Sequence, residues 1–203
     1  MSRNQREGLR KAIVDASIAI GSELGEDGLT MRGIAGRLGV SATALYQHFE
    51  SKAAILREIR LYCSSLLQSE VFDTSAHIEG PRERIEMMAH KYIVFARTHP
   101  WLYSVLTETR GVEWHDMSKE DVDRIVQPLT TFRGWIAEGV EHGVWRKGVD
   151  PDMESIRLWA ALHGLCSMMN SGRIDENHPA FPVVDQQDFI TRFVKSVVGT
   201  LVY

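Results

Sequence analysis

Ten residues between positions 30 and 52 carry groups suited to a DNA duplex. Gln47 has a carboxamide that can pair with an adenine edge, and the methyl groups of Ala42 and Ala44 can pack on a thymine methyl. Ser41 and Thr43 share the outer side of the same short helix with these three. Arg32, on the preceding helix, can reach a guanine or a phosphate. Thr30 combines a hydroxyl with a helix N-terminus, a place that favours an anion, and Lys52 puts a cation near the first turn of the next helix. Thr30 and Ser41 serve equally as helix caps, and capping and phosphate contact can coexist. Tyr46 and His48 complete the set. Arg37 reads as a solvated charge beside the turn.

Catalytic chemistry finds no comparable set. His77, His90, His99, His115, His142, His163 and His178 show neither HxxxH nor HExxH spacing for zinc. There is no glycine-rich phosphate loop and no GxSxG. The expectation is a protein that is not an enzyme, with no cofactor and no metal.

The elements that must position the ten residues follow from caps and periodicity. Thr30 can cap a helix over about Met31–Leu38, on which Ile34, Ala35 and Leu38 share one face. Gly39 can adopt the left-handed conformation that ends it. Ser41 can cap a second helix over about Ala42–Phe49, with Leu45 and Phe49 facing inward. Two short helices around a tight turn form a helix-turn-helix, whose second helix enters the major groove.

A first helix runs from about Asn4 to Leu24 on the stripe Leu9, Ala12, Ile13, Ala16 and Ile20, and Gly25–Gly28 breaks it. A fourth, capped by Ser51, carries Ile55, Leu56, Ile59, Tyr62, Cys63, Leu66 and Leu67 before a polar loop at Asp73–Gly80. Pro81 opens a helix to about Thr98, a short one covers Trp101–Thr107, and Ser118 starts one to about His142 with Pro128 inside. Asp150-Pro151 begins a helix to Asn170, and a last helix covers Asp185–Leu201. The fold expectation is all-α, about nine helices, with a three-helix head on a larger helical body.

The chain has 203 residues, 44% of them apolar and 25% charged, which is ordinary for a globular protein. No apolar run is long enough to span a bilayer, and the polar start carries no secretory signal. Cys63 and Cys166 lack CxxC spacing and read as reduced core thiols of a cytoplasmic protein. The net charge of −4 argues against indiscriminate nucleic-acid binding. Its distribution is uneven: residues 1–60 hold nine Lys/Arg against seven Asp/Glu, a net of +2, and residues 61–203 hold fourteen against twenty, a net of −6. A weakly basic end on an acidic body suits a protein that docks one face on DNA.

The run GLTMRGIAGRLGVSATALYQHFESKAAIL, with LYQHF followed by Ser-Lys, resembles the TetR family of bacterial transcriptional regulators. The body, with YIVFARTHPWLY and the WxxxHG pattern of WAALHGLCSMMNSG, is similar to one C-terminal class of that family. The resemblance implies a helix-turn-helix DNA-binding domain at 1–52 and an effector-binding and dimerisation domain at 53–203. It implies a homodimeric repressor on a palindromic operator, released by a small molecule, and it assigns Tyr46 and His48 to phosphates. A DNA-binding protein of the same fold without small-molecule input, acting structurally or through a protein partner, is the alternative.

The family's usual dimer is a four-helix bundle built from the last long pair of helices in each subunit. Here those helices carry Ile156, Trp159, Ala160, Gly164 and Ser167 on the first, and Phe189, Phe193, Val194, Val197 and Leu201 on the second. Part of each stripe can equally be intramolecular core. For an effector pocket the expected lining is Phe95, Tyr103, Leu106, Trp135, His163 and Met169, with Leu66 on the fourth helix as a link to the head. Met and aromatic side chains make an adaptable apolar lining. Glu108 and Glu113 could favour a cationic ligand there, or face solvent in a loop.

Overall fold

The computed structural model describes residues 3–107 and 117–202; Glu108, Glu113 and His115 lie outside them. Among the described residues the chain is all-α, with nine α-helices, one π-helix and no strand. The α-helices are α1 (Arg3–Gly28), α2 (Met31–Leu38), α3 (Ala42–Tyr46), α4 (Lys52–Leu67), α5 (Pro81–Thr98), α6 (Pro100–Thr107), α7 (Lys119–Glu141), α8 (Pro151–Asn170) and α9 (Gln186–Gly199). The π-helix spans Gln68–Asp73 and continues α4 directly. Gly25, at φ 72°, interrupts α1 where the GEDG segment predicts a break.

Two compact units result, Met1–Cys63 with Pro100–Asp121, and Ser64–His99 with Val122–Tyr203. This division differs from the sequence-based boundary at residue 52 in two ways. The first three turns of α4 pack with the head, and so does α6, which follows some fifty residues later in the chain. The physical reason is apolar and polar at once. Gly21 on α1 lies against the Trp101 ring of α6, where an added Cβ would collide with the indole. Arg60 and Cys63 on α4 donate to the carbonyls of Val105 at 3.3 Å and Leu102 at 3.3 Å on α6. Burial lowers the Arg60 pKa from its ordinary value. The core of this unit is Ile13, Ile20, Leu29, Ile34, Leu45, Phe49, Ile55 and Ile59, all buried.

The second unit packs α5 against α8, α9 and the π-helix. Its core includes Ile85, Met88, Tyr92, Ile136, Leu158, Val194, Val198 and Leu201. Three caps fall where the sequence predicts them. Ser118 Oγ accepts from Asp121 N at 3.1 Å, Asp150 Oδ1 from Asp152 N at 2.9 Å, and Asp185 Oδ1 from Asp188 N at 2.9 Å.

The π-helix is unforeseen. Gln68, Val71 and Phe72 are all buried there, and the Gln68 amide donates to Asp73 Oδ1 at 2.8 Å. A π-helix closes its backbone bonds five residues apart, whereas a search for 3.6-residue periodicity scans three and four. Neither cysteine forms a disulfide, and both are buried.

Candidate nucleic-acid interface

The turn between α2 and α3 is built by its own backbone. Thr30 Oγ1 accepts from Gly33 N at 3.0 Å, satisfying one of the amides that every helix leaves open in its first turn. Gly39 has φ 64°, the left-handed region, and Val40 N bonds Ala35 O at 3.0 Å across it. Ser41 Oγ then accepts from Ala44 N at 3.1 Å and starts α3.

The second motif helix is shorter than expected. It ends at Tyr46, and the His48 and Phe49 amides both bond Leu45 O, at 2.9 and 3.1 Å, in a tighter turn. Leu45 and Phe49 are buried, as their inward assignment requires. On the other side Ser41, Ala42, Thr43, Tyr46 and Gln47 are exposed, with Ala44 and His48 half-buried. Tyr46 leaves 53% of its surface in solvent, a large value for an aromatic in a packed head. Thr30 and Arg32 are exposed as well, and Arg32 makes no ion pair among the described residues.

Two charges read differently from the sequence. Lys52 donates to Glu26 O at 2.7 Å and lies 3.9 Å from its carboxylate, so its ammonium braces the turn before α2. Arg37 is no loose surface charge. Its Nη1 and Nη2 donate to the two Glu23 oxygens, each at 2.7 Å, and the hydrogen bonding holds the Glu23 carboxyl below its usual pKa.

Sequence reasoning missed Arg10. Its Nη1 donates to His48 O at 3.0 Å, its Nη2 to Glu58 Oε2 at 2.5 Å, and its guanidinium carbon lies 4.2 Å above the centroid of the Phe49 ring. A contact across 38 residues leaves no local signal; only the Arg10–Glu58 charge complement was visible, with nothing to mark it.

The expected effector residues are distributed over both units. Tyr103 and Leu106 lie on α6 in the first, and Tyr103 is buried in its core. Leu66, Phe95, Trp135, His163 and Met169 belong to the second. Phe95 faces His99 with ring centroids 5.1 Å apart, Trp135 faces Phe72 at 5.6 Å, and His163 faces Trp159 at 6.3 Å. Arg84 lies over Trp135 and pairs with Glu138 at 2.5 Å. A cleft of about 580 Å³ opens between α5 and α9, and none of the seven residues lines it. Its floor is Ile93 and Ile190, its walls include Met87 and Val94, and His90 and Arg97 supply polar groups. Partial burial holds the His90 pKa below its ordinary value, opposed by Glu86 and reinforced by Lys195.

The stripes assigned to a dimer also divide. Ile156 is 59% exposed and Ala160 is exposed on α8, with Trp159, Gly164 and Ser167 half-buried. Phe189, Phe193 and Val197 are half-buried on α9, and the two Phe rings stack at 6.3 Å. Val194 and Leu201 are a correction: each is 0% exposed, packed inside its own chain, and neither can present a surface.

Comparison with known proteins agrees with this geometry. The family model described as "Bacterial regulatory proteins, tetR family" matches residues 13–59, and "Tetracyclin repressor-like, C-terminal domain" matches residues 85–195. The nucleoid occlusion factor SlmA of Marinobacter nauticus is 25% identical over 154 residues, covering 76% of this chain and 77% of that protein. The tetracycline repressor protein class C of Escherichia coli is 43% identical over 47 residues, 23% of this chain and 22% of that one. The crystal structure of the transcriptional regulator FadR from Bacillus subtilis, in complex with stearoyl-CoA, superposes with a TM-score of 0.71 at 17% identity. It covers 95% of this chain and 97% of that one, a likeness of fold.

Proposed function

Because the chain belongs to the TetR family of DNA-binding transcriptional regulators, we propose that it acts as a homodimeric repressor released from a palindromic operator by a small molecule. The observation that carries the DNA half is the two-sided character of α3. Leu45 is sealed into the head, while Tyr46 and Gln47 stand in solvent beside Ala42 and Thr43. Gln47 reads an adenine edge, the alanine methyls contact thymine, and Arg32 takes a guanine or a phosphate. Tyr46, His48, Thr30 and Ser41 hold the backbone, which sets register without reading sequence. One such head binds weakly, so two are paired, and paired heads read half-sites about one helical turn apart.

Pairing falls to α8 and α9 of each subunit. The exposed Met153 and Ile156, with the half-buried Trp159, Phe189, Phe193 and Val197, supply the apolar surface a bundle needs. Ala160 and Gly164 permit close helix approach. The effector acts through α4, which starts six residues after α3 ends and whose last turn belongs to the second unit. A ligand that prefers the non-operator spacing of the heads by about 1–3 kcal/mol lowers operator affinity about 5–150-fold. The stearoyl-CoA held by the FadR relative supports a small-molecule input of this kind.

A second reading, a DNA-binding protein of the same fold that acts structurally or through a protein partner, is suggested by the likeness to a protein named a nucleoid occlusion factor. One experiment separates the two. A duplex is enriched from a random pool by the purified chain, and its binding is followed by gel shift against a panel of metabolites. Release by one class of compound supports the repressor; operator binding that no compound alters supports the second reading. Failure to enrich any duplex at low salt sinks both.

A further inference from the structure

We infer that Arg10 is a positioning residue for DNA recognition, which fixes the recognition helix against α1 and α4 without touching DNA itself. The inference rests on the DNA-binding reading above. With only five residues, α3 is far too short to hold its own shape, since isolated helices below about 12–15 residues are marginal in water. Its N-terminal end is fixed by the Ser41 cap, and Leu45, one residue before its last, is sealed in the core. Its C-terminal end is where Tyr46 and Gln47 lie, and there the backbone turns sharply, two amides converging on Leu45 O. The carbonyl of His48 then points out of the turn.

Arg10 answers that carbonyl, and the same planar group does two further things. One edge donates to His48 O at 3.0 Å and the other to Glu58 Oε2 at 2.5 Å on α4, while the face covers Phe49 at 4.2 Å. Three elements therefore meet on one guanidinium. Lysine has three donors but no flat face and no fork, so it does not reproduce two bonds from a plane that also lies over the ring. The side chains of Arg10 and Glu58 are 45% and 39% exposed, so as an ion pair they add little to stability. Their contribution is directional. If the turn rotates, Tyr46 and Gln47 move with it, and the two terminal nitrogens of Arg10 each already hold an acceptor within the protein.

The test uses the full-length chain and the duplex it enriches from a random pool. Arg10→Gln is expected to bind that duplex about tenfold more weakly, the worth of one charge-assisted bond. The slope of log affinity against log salt stays at the wild-type value. Arg10→Lys does not rescue the loss, and Glu58→Gln gives part of it. A readout without DNA runs beside these: in Arg10→Gln the amides of Gln47, His48 and Phe49 exchange hydrogen faster, while those of α5 keep the wild-type rate. Unchanged affinity in Arg10→Gln overturns the inference. So does rescue by lysine together with a slope that falls by about 0.9 in Arg10→Gln, because that pair of results marks a direct phosphate contact. If the wild-type chain enriches no duplex, yet Arg10→Gln shows the local exchange effect, the DNA-binding reading is removed and Arg10 is a brace of the turn alone.

Discussion

Tyr46 and Gln47 are neighbours on α3, but their removal should be felt differently. The Tyr46 phenol stands in solvent with no charge of its own. Tyr46→Phe is expected to weaken every duplex alike, by about 1 kcal/mol or roughly fivefold, with the salt dependence retained. Gln47→Ala should instead erase about 1–3 kcal/mol of discrimination at one base-pair position per half-site, read by repeating the enrichment with the variant. His90 supports a pH prediction of definite sign. Burial sets its folded pKa below the ordinary 6.5. As pH falls below that value the unfolded chain takes up the proton first, and the fold loses stability until the folded pKa is passed. Urea midpoints at pH 7.5 and about pH 5.5 should therefore lie further apart for the wild type than for His90→Gln. The Glu23 and Asp152 carboxylates, held low by Arg37 and Arg133, lose their contributions in a separate window below their ordinary 4.5 and 3.8.

At the level of elements, caps decide where helices begin, and Thr30 offers the cleanest trial. Thr30→Ala should cost about 1 kcal/mol of stability, seen as a lower urea midpoint. The helices that open on such residues were the most legible from sequence. Thr30, Ser41, Ser118, Asp150 and Asp185 each place a helix start within a residue or so, because a cap is a local event between groups two or three positions apart. Contacts made at a distance were not legible. Arg37 reaches back fourteen residues to Glu23 and Arg10 forward to His48 and Glu58, so no local pattern announces either. The π-helix escaped because backbone bonds five residues apart have a period that α-helical templates do not test. The stripe on α9 shows a further limit. Spacing put Val194 and Leu201 with Phe189 and Phe193, but it cannot tell which flank of a stripe packs on its own chain. The effector residues have the same weakness, since apolar side chains at helical spacing line cores and cavities alike. Variants at Trp135 and at Val94 separate the expected lining from the α5–α9 cleft: only the one that touches the ligand should shift the concentration needed for release.

For the molecule as a whole, the proposed homodimer is the property on which the proposed operator binding rests. Ile156 is a better probe than the fully enclosed Val194, since its side chain meets solvent in the single chain and a charge there spares the fold. Ile156→Glu is expected to sediment as a monomer with unchanged helical circular dichroism, and to lose operator affinity with it. A persisting dimer would place the contact on another face. The uneven charge, +2 over residues 1–60 and −6 over 61–203, adds long-range bias so that the head meets the duplex first. The membership of α6 in the head bears on protein engineering. Here a transplant that stops at residue 52 would arrive without the indole that fills the notch at Gly21. A graft extended to Cys63 would still lack the Val105 and Leu102 carbonyls that Arg60 and Cys63 bond. Because α6 packs with α1 and α4, a transplant that keeps these contacts is expected to need two separate exchanges of sequence, the second spanning Pro100–Thr107.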